Sequence, residues 1–419
     1  MAAAATAIAG VIALRNLPSE AYPGLPPDQR AFWNWVSLTN SDPQNALESG
    51  LALLSDSPHL RLLYLKLAMV CVDAKAKAVC WDRFNQVSPN GAVASYRDAA
   101  LALLVQADDT SAAISRWSEL VRSERLDPTL ARLAVEQAQH LGGDSLLSVF
   151  TSVWSERLKR DSTAAGAAFG YGYAAILRSD WPTAERMMQR VTRLLPDDPQ
   201  AFRELGRIYF TMGRPDAFDR VLTAGIEAAV HQYDLEQELI LRGNLGWGMI
   251  QRSRDLDRAS RLIEEALERS HLLADEETEG FNLYRLAFVR LKQYRYDEAL
   301  ALLDSAEVRY AEHAPRQLPE VLVLRGTVLS DIYRFSEAEH VLGSAIESAR
   351  TQRNVLIEVQ ASIAQGQLQY RMGRYEAARQ SGLHALELAQ RYRQVDYEIA
   401  ARMLLGDVER FWGNLEAAR

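Results

Sequence analysis

Four short stretches decide the fold: ASRLIEEA (259–266), ALALLDSA (299–306), AEHVLGSA (338–345) and ARQSGLHA (378–385). Each places an alanine, then a large apolar residue one helical turn on, then a second alanine a further turn along. The set is Ala259/Ile263/Ala266, Ala299/Leu303/Ala306, Ala338/Leu342/Ala345 and Ala378/Gly382/Ala385, with glycine replacing the large residue in the last. The first alanines recur at a nearly constant step from Ala259 through Ala299 and Ala338 to Ala378, and a fifth copy opens one step later at Ala418. Self-similarity at a fixed period of this length marks a stacked repeat.

A second marker precedes each alanine. Gly246, Ala287, Gly326, Gly366 and Gly406 are small, and the last four keep an identical offset to Ala299, Ala338, Ala378 and Ala418. Apolar residues recur at steps of three and four between markers, as in VLVLRGTVLSDI (321–332), which is the period of an amphipathic helix. Each unit therefore reads as two helices around a short turn, with small residues where the two axes cross. Glycines in MGR (212–214 and 372–374) and WGN (412–414) suit left-handed helix closures.

Composition agrees. Hydrophobic residues make up 48% and charged residues 24% of the 419, too apolar for a disordered chain. No strand-rich stretch stands out. A formal net charge of -8 argues against a general nucleic-acid binder, which needs a basic face, so no nucleic-acid partner is expected. Cys71 and Cys80 form neither a CxxC pair nor a zinc half-site, and they read as buried free thiols in a reducing compartment.

Phe202, Leu205, Gly206 and Tyr209, followed by Gly213, resemble the first helix of a tetratricopeptide repeat (TPR). Gly172, Ala184, Met188 and Pro196 resemble the preceding unit, and the interval from Gly172 to Gly206 is the standard length of that repeat. Beyond Gly206 the units lengthen to the step set by the alanines, and they are similar to the long repeats of bacterial signalling proteins. The resemblance implies an all-α, right-handed α-solenoid of stacked antiparallel helix pairs. Residues 161–419 are expected to be the regular array, its last repeat incomplete. Residues 28–160 are expected to be divergent repeats capping it, with pairs around QADDTSA and HLGGDS. Residues 1–27 read as an apolar segment followed by a proline-containing linker. That segment has no basic start, as a signal peptide would, and is too short to span a bilayer. The location expected is cytoplasmic, the alternative a membrane tether at the N-terminus. Helix 399–412 is expected to lack cover for Leu404, Leu405 and Phe411, as in a piece of a longer chain.

Catalytic chemistry finds no support. There is no phosphate-cradling GxxxxGK[ST], no HExxH, no clustered His/Cys set and no GxSxG elbow. The seven histidines are scattered, DEETE (275–279) reads as a solvated turn, and GYG (170–172) as close packing within a helix. No enzyme activity, cofactor or metal is expected.

The resemblance implies that first helices line a concave groove. Residues flanking the small markers are then the candidates for it: Arg203, Arg207, Trp247, Tyr284, Phe288, Thr327, Gln367, Tyr370, Arg371, Asp407 and Arg410. Arginines and aromatics on one face are frequent anchors of recognition. The lysine and asparagine clamp of chaperone-tail binders is absent, because Phe169, Tyr173, Arg203 and Arg207 stand in its places. The expected function is a scaffold holding a protein or peptide in the groove. The alternative implied by the resemblance is the sensory arm of a CHAT-type protease, histidine kinase or transcriptional regulator continuing beyond residue 419.

Overall fold

A computed structural model describes residues 25–412, Asn90 and Ala107 excepted. The readings placed on residues 1–24, on Gly413 and Asn414, and on Ala418 fall outside the described residues. Among those described, the chain forms helices and no strand. They are α1 (Pro27–Ser41), α2 (Pro43–Asp56), α3 (Arg61–Asp73), α4 (Lys77–Gln86), α5 (Ala92–Gln106), α6 (Thr110–Arg122) and α7 (Pro128–Arg160). Then come α8 (Ala165–Leu177), α9 (Trp181–Leu194), α10 (Pro199–Thr211), α11 (Pro215–His231), α12 (Leu235–Gln251) and α13 (Leu256–Leu272). The series closes with α14 (Glu276–Lys292), α15 (Tyr296–His313), α16 (Leu318–Asp331), α17 (Phe335–Thr351), α18 (Val355–Arg371), α19 (Tyr375–Arg391) and α20 (Val395–Trp412). Gly143, at φ 58° and ψ -149°, breaks α7 into the two limbs expected around HLGGDS. No described helix is long and apolar enough to cross a membrane.

Local rules explain where these helices start and stop. Asp42, Asp109, Asp127, Asp180, Asp198, Asp234 and Asn354 accept first-turn amides at N-caps, each worth about 1 kcal/mol. Proline fills the first turn of α1, α2, α7, α10 and α11, where no amide partner is lost. The closures need a left-handed residue just past the helix. Gly213 (φ 64°) and Gly373 (φ 73°) supply it in the two MGR turns, and Arg214 N then bonds Tyr209 O at 2.9 Å.

The chain divides into two compact units. One holds the described residues up to Arg252 together with Arg261–Asp275; the other holds Ser253–Ser260 and the residues from Glu276 onward.

In the first unit, small residues set how closely helices cross. A Cβ on Gly206 would stand 2.4 Å from Leu222 Cδ2, one on Gly172 2.8 Å from Met187 Cβ, and one on Gly170 2.8 Å from the Trp154 ring. Gly166 is tighter still, with the Leu126 carbonyl oxygen 2.0 Å from the built Cβ. The opening helices hold the aromatic core of Phe32, Trp33 and Trp35 and reach far along the sequence. Trp33 Nε1 donates to the Tyr233 carbonyl and Asn40 Nδ2 to that of Leu273, both at 2.8 Å, while Lys66 pairs with Glu236.

Cys71 and Cys80 depart from expectation. They are buried, but as a disulfide joining α3 to α4 rather than as free thiols. The short reversal at 74–76 lays α4 beside α3 and brings the two side chains together, although the spacing matches no known motif.

In the second unit the alanine motif behaves as its spacing requires. Ala338, Leu342, Leu329, Ala364 and Leu368 form one core layer; Val359, Ile363, Ala385, Ala389 and Ala401 form another. A Cβ on Gly326 would meet Leu342, the large residue of its own repeat, at 2.5 Å. Where Gly382 replaces that large residue, the next helix fills the space. Leu404 Cδ2 lies 2.6 Å from a Cβ built on Gly366, and Leu405 Cδ2 lies 2.9 Å from one on Gly382. The expectation that α20 leaves Leu404 and Leu405 without cover is therefore overturned: Leu404 is buried and Leu405 partly so, because the missing side chain at 382 makes room for them. Phe411 is 60% exposed, as expected.

The two kinds of close approach differ in what a methyl group would cost. Gly166→Ala meets rigid backbone and should cost about 3 kcal/mol or more. Gly206→Ala meets the movable end of a leucine and regains helix propensity, so it should cost about 1 kcal/mol or less. Urea unfolding of the two variants measures the difference. Reduction of the bridge between Cys71 and Cys80 should lower stability by about 2–3 kcal/mol. That shows as a fall in melting temperature on adding dithiothreitol, absent in Cys71→Ala/Cys80→Ala.

Candidate functional site

Two surfaces of the first unit concentrate polar chemistry. One runs along the first helices. Arg132 pairs with Glu136 at 2.8 Å, and Tyr173 Oη donates to Glu136 at 3.2 Å. Arg207 lies over the Tyr173 ring at 5.5 Å and pairs with Glu204 at 2.9 Å. Arg203 also pairs with Glu204, at 2.8 Å, and donates to Gln237 Oε1 at 3.1 Å. Arg242 and Arg269 converge on Glu238 at 2.9 and 3.4 Å. Glu204 and Glu238 are buried, and each carries two arginines. The result is a polar ladder across α7, α8, α10, α12 and α13.

The expected groove residues divide between the units. In the first, Arg203 is 11% exposed and committed to Glu204 and Gln237, whereas Arg207 is 45% exposed. Trp247 is half-buried on α12. In the second, Tyr284 and Phe288 are half-buried on α14, and Lys292 Nζ sits 5.6 Å over the Phe288 ring. Burial pushes the Tyr284 hydroxyl well above its ordinary range, with the nearby Glu320 carboxylate adding to the effect. Thr327 turns its hydroxyl into its own helix, onto Val323 O at 2.9 Å. Gln367 is exposed, and Arg371 pairs with Asp331 at 2.5 Å. Tyr370 meets Phe411 edge-on at 5.5 Å, and Arg410, paired with Asp407 at 2.8 Å, lies over the same Phe411 at 5.4 Å. Tyr370, Asp407 and Arg410 are thus brought together around a phenylalanine that is not among the expected groove residues.

The second surface is a cavity of about 490 Å³ in the first unit, which the expected residues do not line. Its walls are α1 (Gln29, Phe32, Trp33), the start of α3 (Leu60, Arg61, Leu62), Tyr96 of α5, and the N-termini of α7, α10 and α12. Each of those termini is capped by its own aspartate. Asp127 accepts Leu130 N at 3.0 Å, Asp198 accepts Gln200 N at 3.0 Å, and Asp234 accepts Gln237 N at 3.0 Å. Burial pushes Asp198 and Asp234 up to about 6, and the capping amides only partly oppose it. Burial also raises Asp127, against the pull of its amide, Tyr96 and Arg61. Asp127-Pro128 and Asp198-Pro199 mark helix starts in the sequence. Nothing local shows that they converge beneath α1.

No group of three His, Cys, Asp or Glu among the described residues has a geometry that would hold a metal ion.

No protein-family model matches the sequence. No curated protein is a significant match either. Solved structures match its fold. The apo form of the quorum sensor NprR from B. thuringiensis aligns over 87% of this chain and 96% of its own, with a TM-score of 0.53 and 10% identity. The apo form of RapI aligns over 60% of this chain and 92% of its own, with a TM-score of 0.52 and 14% identity. YrrB, described as a TPR protein with an unusual peptide-binding site, covers 47% of this chain and 93% of its own, at 19% identity and a TM-score of only 0.35. The fold is an all-α helical repeat of tetratricopeptide type, as the residues around Gly206 imply.

The raised aspartates make a signed prediction. A carboxyl whose folded value lies near 6 against an ordinary 3.8 opposes folding when ionised. That cost is complete above about pH 6 and disappears as pH falls towards the ordinary value. Asp198→Asn/Asp234→Asn keeps both caps, since asparagine caps as well as aspartate. The double variant should therefore exceed the wild type in stability at pH 7.5, and the gap should shrink steadily towards pH 4.5. Denaturant unfolding at several pH values checks it.

Proposed function

We propose that the chain is a non-enzymatic scaffold that holds a peptide or partner protein along its first helices. The observation that carries this reading is the polar ladder. Its buried carboxylates are neutralised by arginines held in fixed geometry, and Arg207 is left half-exposed above Tyr173. A preorganised guanidinium beside an aromatic face is an anchor of the kind that dominates recognition, because little side-chain entropy remains to be lost on binding. A repeat fold supplies such faces in series. Arg203 contributes differently from Arg207: it holds Glu204 and Gln237 in place rather than presenting its charge.

A second reading, the sensory arm of a larger effector, has one observation in its favour. Val395, Ile399 and Met403 form a stripe on α20, each more than half exposed, and a further helical layer packed there would cover it.

The test is selection of peptides from a random library on the purified chain. Enriched peptides should bind the wild type and lose about tenfold in affinity to Arg207→Ala, with melting temperature unchanged. Absence of enrichment, or equal binding to Arg207→Ala, would overturn the reading.

A further inference from the structure

Helix α4 has little intrinsic reason to persist. It has ten residues, fewer than the roughly 12–15 at which an isolated helix becomes even marginal in water. No side chain caps its N-terminus and its first turn carries no acidic residue. Lys77 stands there instead, against the positive end of the helix dipole. The reversal leading into it is unfavourable too, because Lys75 sits at φ 55°, a conformation that disfavours a residue with a Cβ by about 1–2 kcal/mol.

Its anchors to the rest of the unit are equally sparse. It buries Cys80 and Phe84, whereas α3 buries Leu63, Tyr64, Leu65, Leu67, Ala68 and Cys71. Phe84 meets the Tyr64 ring with 5.8 Å between centroids. The polar contacts of α4 with its neighbours lie at the surface: Lys77 with Asp108 at 3.0 Å, Arg83 with Ser55 at 2.8 Å, and Arg116 over the Trp81 ring at 5.0 Å. Surface contacts of that kind contribute about 0–1 kcal/mol each. The bridge from Cys71 to Cys80 is worth about 2–3 kcal/mol, more than any one of them.

We propose that this bridge is a redox latch, and that reduction by a dithiol releases α4 as a local unit while the helices around it stay folded. One thiolate of the dithiol attacks a bridge sulfur and displaces the other as a thiolate; the second thiol of the reductant then closes onto the first. Two electrons pass to the protein, leaving two protein thiols and the reductant as its own disulfide. Both cysteines are buried while α4 is seated, so the attack proceeds from the frayed helix. Helix α3 keeps its place through its own buried side chains and through Lys66, which pairs with Glu236. Release of α4 uncovers the Tyr64 side of α3. The latch is independent of the Arg207 surface, so failure of either leaves the other standing.

Hydrogen exchange of the full chain, read by peptide mass with and without dithiothreitol, tests it. On reduction the amides of α4 should exchange at least about tenfold faster, while those of α3 and α5 keep their rates. Reoxidation should restore the protection. Cys71→Ala/Cys80→Ala should show fast exchange in α4 from the outset and no response to dithiothreitol. Unchanged protection of α4 after reduction would overturn the proposal. So would an equal loss across α3, α4 and α5, the mark of a crosslink that stabilises the whole unit, or a bridge that dithiothreitol leaves intact in the folded chain. Should the double variant fail to fold, the wild type with and without reductant decides alone.

Discussion

The fold rests on how closely two helices of a repeat are allowed to approach. Where Gly206 faces Leu222, or Gly326 faces Leu342, the leucine end occupies the volume that a Cβ would need. Closer axes bring more apolar atoms into contact at the density of a protein interior. They also fix the register of the turn, because a glycine one residue out of phase would meet a different side chain. The Gly382 site shows that what stays constant along the array is volume rather than residue type. The large residue is missing from its own helix, and Leu404 and Leu405 of the next one occupy the gap.

That rule is why much of the architecture could be read from the sequence. Small residues at fixed intervals, apolar residues at helical steps and aspartate-proline pairs are local signals, and the helices of both units follow them. The departures are cases in which residues on different helices act together. Cys71 and Cys80 pair because a short reversal brings two helices alongside, which no motif encodes. Leu404 is buried because of a vacancy on another helix. Arg203 and Arg207, one turn apart, look equivalent in sequence, yet Gln237 from α12 claims the first and leaves the second half-exposed. The cavity was not legible at all. Its aspartates appear as caps, and only the packing of α1 against the α11–α12 turn gives them a common space.

The caps themselves serve two ends. An aspartate at a helix start is ordinarily a local device that satisfies an amide in water. Enclosed under Phe32 and Trp33, the same groups lose solvent, and their charge becomes costly. The polar ladder is organised the opposite way. Glu204 and Glu238 are deeply buried, but each is met by two arginines, so neither carboxylate is left unpaired. One unit thus contains a row of buried carboxylates met by arginines and a pocket in which Arg61 faces a larger number of aspartates.

The bond from Trp33 to Tyr233 and the bond from Asn40 to Leu273 each join segments about half the chain apart. Stacked repeats ordinarily make contacts only with their neighbours, so they nucleate anywhere and fray from their ends. These two bonds add a step of another kind. The chain between them has to be assembled before they can form, and the entropy of bringing such distant segments together is lost late in folding. Once formed, they couple the opening helices to repeats far along the chain, so this unit should lose its structure in one cooperative transition where an open array would melt by degrees.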